Sequence, residues 1–286
     1  MLRIVPAYHG MEHYIKEARA HPEANLEELW NRHVIDAYWQ QWAAGEFNEE
    51  RIRREMSSPL RDLKGLEKEV QALATGGVEN LVEEAYQFIA GQLPYHEEGA
   101  AVCILAADPQ NQSLLEHNNG VVGACMGANT LLQINPAGTD WQRWVGYVLA
   151  HERHHSAWGY HYIFVRGCRQ TNLLADLISE GSADAFAHLL FPGLNPEWVN
   201  ALTPEQEADQ WEQMQAHLRE PPEDDALHRR FFFGDADLGT PRFTGYTIGF
   251  HILQEYLIKH PQEPVAEWLK HDPEKILAES GYQPRR

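Results

Sequence analysis

The sequence predicts an α+β fold, mostly helical, with a small mixed β-sheet set in the middle of the chain. Three observations carry that prediction. Residues 11–93 read as helices, and the helical pattern resumes from Asp140 to the end. Between Gly99 and Pro136 the pattern changes to short β-rich runs separated by turn residues. The longest apolar stretches are too short to span a bilayer.

Taken in order, residues 2–6 are a short strand or an extended arm. The helices that follow break near Pro22, Gly45, Pro59 and the Gly76-Gly77 pair. Residues 101–106, 120–126 and 130–135 have strand character, with Gly127-Ala128-Asn129 as a turn. The polar stretch 109–119 reads as a loop. Thr139 and Gln142 have capping-box spacing, so a helix is expected from about Asp140, with Gly159 as its stop. Another helix is expected over residues 171–190, and Pro192, Pro196, Pro221-Pro222 and residues 234–241 mark later breaks. The chain therefore divides into a helical N-terminal region, residues 1–95, and a second region, residues 96–286. The second region holds the sheet (100–136), a helix (140–158), a further helix (171–190) and the C-terminal helices.

Composition narrows the function. A chain of 286 residues is long enough to bury a large core. Its formal net charge of −19 argues against nucleic-acid binding, which wants a basic footprint, and against anionic membranes. Cys103, Cys125 and Cys168 are odd in number and widely spaced, as expected of reduced thiols. With no apolar segment at the N-terminus, the expected compartment is the cytoplasm.

The chemistry is concentrated at His151-Glu-Arg-His-His155, an HExxH pattern. Two His four residues apart stand about 40° apart around a helix, so both imidazoles can reach one metal. Glu152 lies between them, where it can take a proton from water activated by that metal. On a helical wheel Trp141, Trp144, Val145 and Val148 share the face that His151, Glu152 and His155 continue, so the polar triplet points inward. Arg143, Gly146, Ala150 and Arg153 fall on the opposite side, and His154 is expected at the surface. Buried imidazoles need partners, and a metal supplies one.

Catalytic zinc usually keeps three protein ligands. In the helix 171–190, Leu173, Leu177, Ala183 and Ala187 share a face with Asp176, Glu180 and Asp184. Three carboxylates on a buried stripe call for a cation or for hydrogen-bond donors. Glu180, in the middle, is the best third ligand, and Asp176 is the next. Asp184 is placed to accept the free N–H of a ligand His and so orient its ring.

Three strings carry a resemblance: Val148-Leu-Ala-His-Glu-Arg-His-His155, Leu177-Ile-Ser-Glu-Gly-Ser-Ala-Asp184 and Gly245-Tyr-Thr-Ile-Gly249. Over roughly residues 120–260 the chain resembles an uncharacterised family of predicted bacterial zinc-dependent proteases, itself similar to the gluzincin group. The resemblance implies Zn2+ held by His151, His155 and Glu180, with Glu152 as general base and Asp184 as the supporting carboxylate. A small sheet just before the motif helix is also the order of zincin folds. Residues 1–95 lie outside the resemblance.

Two supporting features follow. The glycine-rich strand 120–127 is either an edge strand that binds an extended peptide or an ordinary interior strand. Tyr246, between Gly245 and Gly249, is the expected oxyanion donor, with His251 as the other candidate. His9-Gly-Met-Glu-His13 has the inverted zinc pattern but reads as an exposed helix start, and Asp225-x-x-His228 only imitates a second Glu-x-x-His.

The expectation is a zincin-like metallopeptidase cutting peptide or protein substrates with metal-activated water and Glu152 as base. Two rival readings use the same residues: a metal hydrolase of a non-peptide bond, and a helical binding or chaperone-like protein with a structural or vestigial site.

Overall fold

Four strands, β1 (Arg3–Val5), β2 (Ala101–Ala106), β3 (Val121–Met126) and β4 (Asn129–Ile134), form one mixed sheet in the order β1-β2-β4-β3. β1 and β4 both run parallel to β2, and β3 returns antiparallel to β4. Every residue of β2 is buried, as its apolar sequence Ala-Val-Cys-Ile-Leu-Ala requires of a strand covered on both faces. The computed structural model describes residues 2–43, 53, 58–93, 99–168, 170–220 and 226–284. The expected breaks at Gly45 and Pro221-Pro222 lie outside the described residues.

Two compact units divide the chain, Met1–Ser156 and Ala157–Arg286. In the first, helices α1 (Tyr8–Ala20), α2 (Leu26–Trp30), α3 (Asp36–Trp42), α4 (Leu63–Thr75) and α5 (Val78–Gln92) precede β2. A π-helical turn, Asn31–Ile35, joins α2 to α3. α1, α3 and α4 pack against β2, and α5 against β1. Gly77, at φ 64°, makes the left-handed turn between α4 and α5 that the glycine pair in the sequence signals.

One side chain joins the helices to the sheet. Asn129 accepts the Ala101 N–H at 3.0 Å and donates to the Trp42 carbonyl at 3.1 Å, so it ties the starts of β2 and β4 to the end of α3. Trp42 in turn donates its indole N–H to the Ala124 carbonyl of β3 at 3.3 Å.

The stretch expected to be a loop holds a short helix instead, α6 (Gln112–Asn118). Asn111 caps it by accepting the Leu114 N–H at 3.1 Å, and Asn119 ends it at φ 53°. Two asparagines at the two ends were enough to fold a polar segment. The β3–β4 hairpin turns on Gly127-Ala128, so Asn129 is already in β4.

The motif helix, α7, runs Trp141–Gly159. It starts one residue later than Thr139 and Gln142 imply, because Asp140 sits at φ 54° in a left-handed turn. In the second unit a π-helical turn (Tyr160–Val165) leads on, followed by α8 (Leu173–Leu190), capped by Asn172 accepting the Ala175 N–H. Then come α9 (Pro204–Gln215), the short α10 (Ala226–His228) with its π-helical continuation to Phe233, and α11 (Thr244–Lys259). α12 (Val265–Trp268) and α13 (Pro273–Ser280) complete the chain. α11 packs most extensively on α8. No helix among the described residues is long and apolar enough to cross a membrane, and no disulfide joins Cys103, Cys125 and Cys168.

Candidate metal centre

α7 presents its histidines as the heptad arithmetic demands. The Nε2 atoms of His151 and His155 face one another at 2.9 Å, with the rings 4.5 Å apart and steeply inclined. Two zinc–nitrogen bonds of about 2.1 Å at a tetrahedral angle would set those atoms roughly 3.4 Å apart, so a small rotation of either ring suffices. Glu180 of α8 completes the group: one ligand atom from each of the three residues lies within 4.8 Å of the other two. No other such group occurs among the described residues, so His9, Glu12 and His13 are, as expected, exposed residues at the start of α1. Two imidazoles and a carboxylate are the donor set of a zinc site that keeps a fourth position open.

Glu152 is only 7% exposed and lies against the sheet. A Cβ at Gly123 of β3 would stand 2.6 Å from Glu152 Cγ, 2.8 Å from its Oε1 and 2.8 Å from Val148 Cγ1. Any side chain there would have to displace Glu152 or Val148. Among the described residues β3 lies at the edge of the sheet, not in its interior. That edge therefore brings its backbone directly against the Glu152 carboxylate.

Two expectations about α7 fail. His154 is fully buried, not at the surface, and Arg153 is 5% exposed. The helix is enclosed on nearly every side, so a wheel that assumes one wet face misplaces both. Arg153 donates to the Tyr86 hydroxyl at 2.9 Å, reaches the Leu93 carbonyl at 3.5 Å and lies over the Tyr86 ring. The base of the motif helix is thereby bolted to α5, in a region the sequence reading left unassigned.

On α8 the three carboxylates have different company. Asp176 takes an Nδ1 contact from His228 at 3.2 Å and stands outside the His/His/Glu group. Asp184 is fully buried and accepts the Trp198 indole N–H at 3.0 and 3.1 Å on its two oxygens. Neither contact had a signal in the sequence, since Trp198 and His228 reach α8 from distant segments. Gly123 had one: a glycine inside a strand pattern marks close backbone approach.

The oxyanion candidates differ as well. Tyr246 is half-buried near the start of α11, edge-on to Phe232 at 5.1 Å. His251 faces Glu207 at 2.7 Å through Nδ1 and Asn200 at 3.2 Å through Nε2, so both ring nitrogens are engaged in a structural network. Glu207 also accepts the Tyr282 hydroxyl, and burial pushes that phenol well above its ordinary pKa. Asp225, of the Asp225-x-x-His228 imitation, lies outside the described residues.

A helix bearing two converging imidazoles and a second helix bearing a carboxylate make a group that could hold a metal ion, with a buried glutamate beside a sheet edge. The family described as predicted Zn-dependent protease (DUF2268) matches residues 78–278, and the chain belongs to it. No curated protein and no solved structure matches the chain.

Proposed function

We propose that the protein is a zinc-dependent metallopeptidase with a zincin-like catalytic core. The observation that carries this reading is the convergence of His151, His155 and Glu180 together with the seating of Glu152 against Gly123 of the edge strand. His151, His155 and Glu180 hold the ion. When bound, zinc supplies a Lewis acid for the scissile carbonyl and lowers the pKa of water toward about 7. Glu152 takes the proton of the attacking water and passes it to the leaving amine. Tyr246 donates to the oxygen that becomes negative, and Asp184 holds a ligand ring in orientation while accepting from Trp198.

The substrate is a peptide or unfolded protein segment laid along β3, the strand that ends the sheet among the described residues. Pairing there brings a peptide bond to Glu152, because Gly123 leaves no side chain between them. The acidic chain has neither nucleic acid nor a membrane as partner, and its three thiols fit the cytoplasm.

Metal content per chain, measured by plasma mass spectrometry on wild type, His155→Ala and Glu180→Ala, tests the site. About one zinc in wild type and its loss in both variants is the expected result. A peptide-library digest of the zinc form then tests the activity. Zinc bound without any peptide cleaved would move the reading to a non-peptide substrate or to a binding protein with a structural ion.

A further inference from the structure

α8 and α11 meet backbone to backbone one residue from Glu180. A Cβ at Gly181 would stand 2.1 Å from the Gly249 carbonyl oxygen, 2.2 Å from its carbon and 2.8 Å from the Phe250 nitrogen. A Cβ at Gly249 would stand 2.3 Å from the Leu177 carbonyl oxygen. Each glycine thus fills the space a side chain on the other helix would need. Ordinary helix pairs keep their axes 8–10 Å apart because side chains separate them, and here no side chain intervenes. The obstructing atoms are main chain, so no rotamer change can relieve a clash.

We infer that the Gly181–Gly249 crossing is a positioning device for Glu180: it fixes the depth and rotation of α8 so that the Glu180 carboxylate reaches the two imidazoles. This rests on the reading of Glu180 as a ligand. A methyl group at either glycine must part the two backbones by about 1 Å to restore ordinary van der Waals distance. Metal–ligand distances tolerate only about 0.2 Å. The glycine after the ligand is therefore part of the metal site although it offers no ligand atom. Gly245 is the internal control: it lies on the same α11, one turn before Gly249, and is also crowded, with its Cβ position 2.7 Å from the Phe232 ring. That obstacle is a side chain, which can move aside, and Phe232 belongs to neither α8 nor α11.

The experiment compares wild type, Gly181→Ala, Gly249→Ala, Gly245→Ala and Glu180→Ala for zinc affinity, by competition with a chromophoric chelator. Apo-protein Tm and helical circular dichroism are read in parallel. Gly181→Ala and Gly249→Ala should weaken zinc tenfold or more, the usual loss when the support of a ligand is removed, while the helical signal persists. Gly245→Ala should change Tm and leave zinc affinity within twofold. Should Gly181→Ala fail to fold, Gly249→Ala carries the same test, and Gly181→Ser and Gly249→Ser give a second pair. Folded glycine variants with wild-type affinity, or an equal loss in Gly245→Ala, would overturn the inference. If instead Glu180→Ala binds zinc as wild type does, the ligand reading itself has failed.

Discussion

Gly123 and Glu152 constrain each other, and three substitutions separate what each does. Glu152→Gln keeps the size of the side chain and removes the carboxylate proposed as base. It should retain one zinc and lose roughly 10²–10⁴-fold in peptide hydrolysis, the range for a lost general base; an active variant would remove Glu152 from the mechanism. Gly123→Ala should also keep zinc, because the ligands are His151 and His155 of α7 and Glu180 of α8, none of which Gly123 faces. Its methyl group must displace Glu152 or Val148, and a misplacement of about 1 Å costs on the order of 100-fold in kcat. Wild-type kcat in Gly123→Ala would mean that the strand does not seat the base. Tyr246→Phe should lower kcat by tenfold or more without changing zinc content, as expected for one oxyanion donor; steady-state kinetics indistinguishable from wild type would assign Tyr246 to packing against Phe232 alone. The grouping of His151, His155 and Glu180 could be read from sequence, because each helix carries its polar residues at a regular spacing on one face. Trp198 and His228 could not, since each meets its carboxylate through a fold that joins distant segments.

At the scale of elements, the sequence shows strands and helices where periodicity is clean. It misleads where burial is complete. β2 and the hairpin strands stand within a residue of their expected bounds, and α7 and α8 within two. The faces of α7 were misjudged because amphipathic reasoning presumes a solvent side, and His154 and Arg153 have none. Asn129 carries a prediction of its own. Asn129→Ala leaves the Ala101 N–H and the Trp42 carbonyl without this partner, and each lost partner costs about 1–3 kcal/mol. Denaturant unfolding should show that loss; a stability within 0.5 kcal/mol of wild type would place the tie elsewhere. Glu69 on α4 gives the opposite sign. It is 5% exposed, and burial raises its pKa, with Lys68 offsetting only part. A carboxyl whose folded pKa is raised gives stability that is complete below its unfolded value and lost as pH climbs through the folded value. Glu69→Gln should therefore raise Tm near pH 7. The gain should fade as pH falls below the ordinary value of 4.5, which thermal melts across pH would record.

For the whole molecule, metal and fold are linked. Any ion that binds only the folded chain stabilises it, by about 2.7 kcal/mol at a hundredfold excess over Kd. Zinc should raise the Tm of wild type and leave Glu180→Ala unmoved; a chelator-insensitive Tm at saturating zinc would show that the ion contributes nothing to the folded state.

The pairing of Arg3 with Ala101 has a further consequence, and it concerns time. About a hundred residues separate the two sides of that ladder, so closing it is among the more entropically costly steps of folding. On a ribosome adding about 5–20 residues each second, the first strand waits several seconds for its neighbour to be made. Helices α1 to α5 have time to form before any sheet exists to receive them. A chain shortened by its first six residues would leave the β1 side of β2 without its partner strand, open to any passing one.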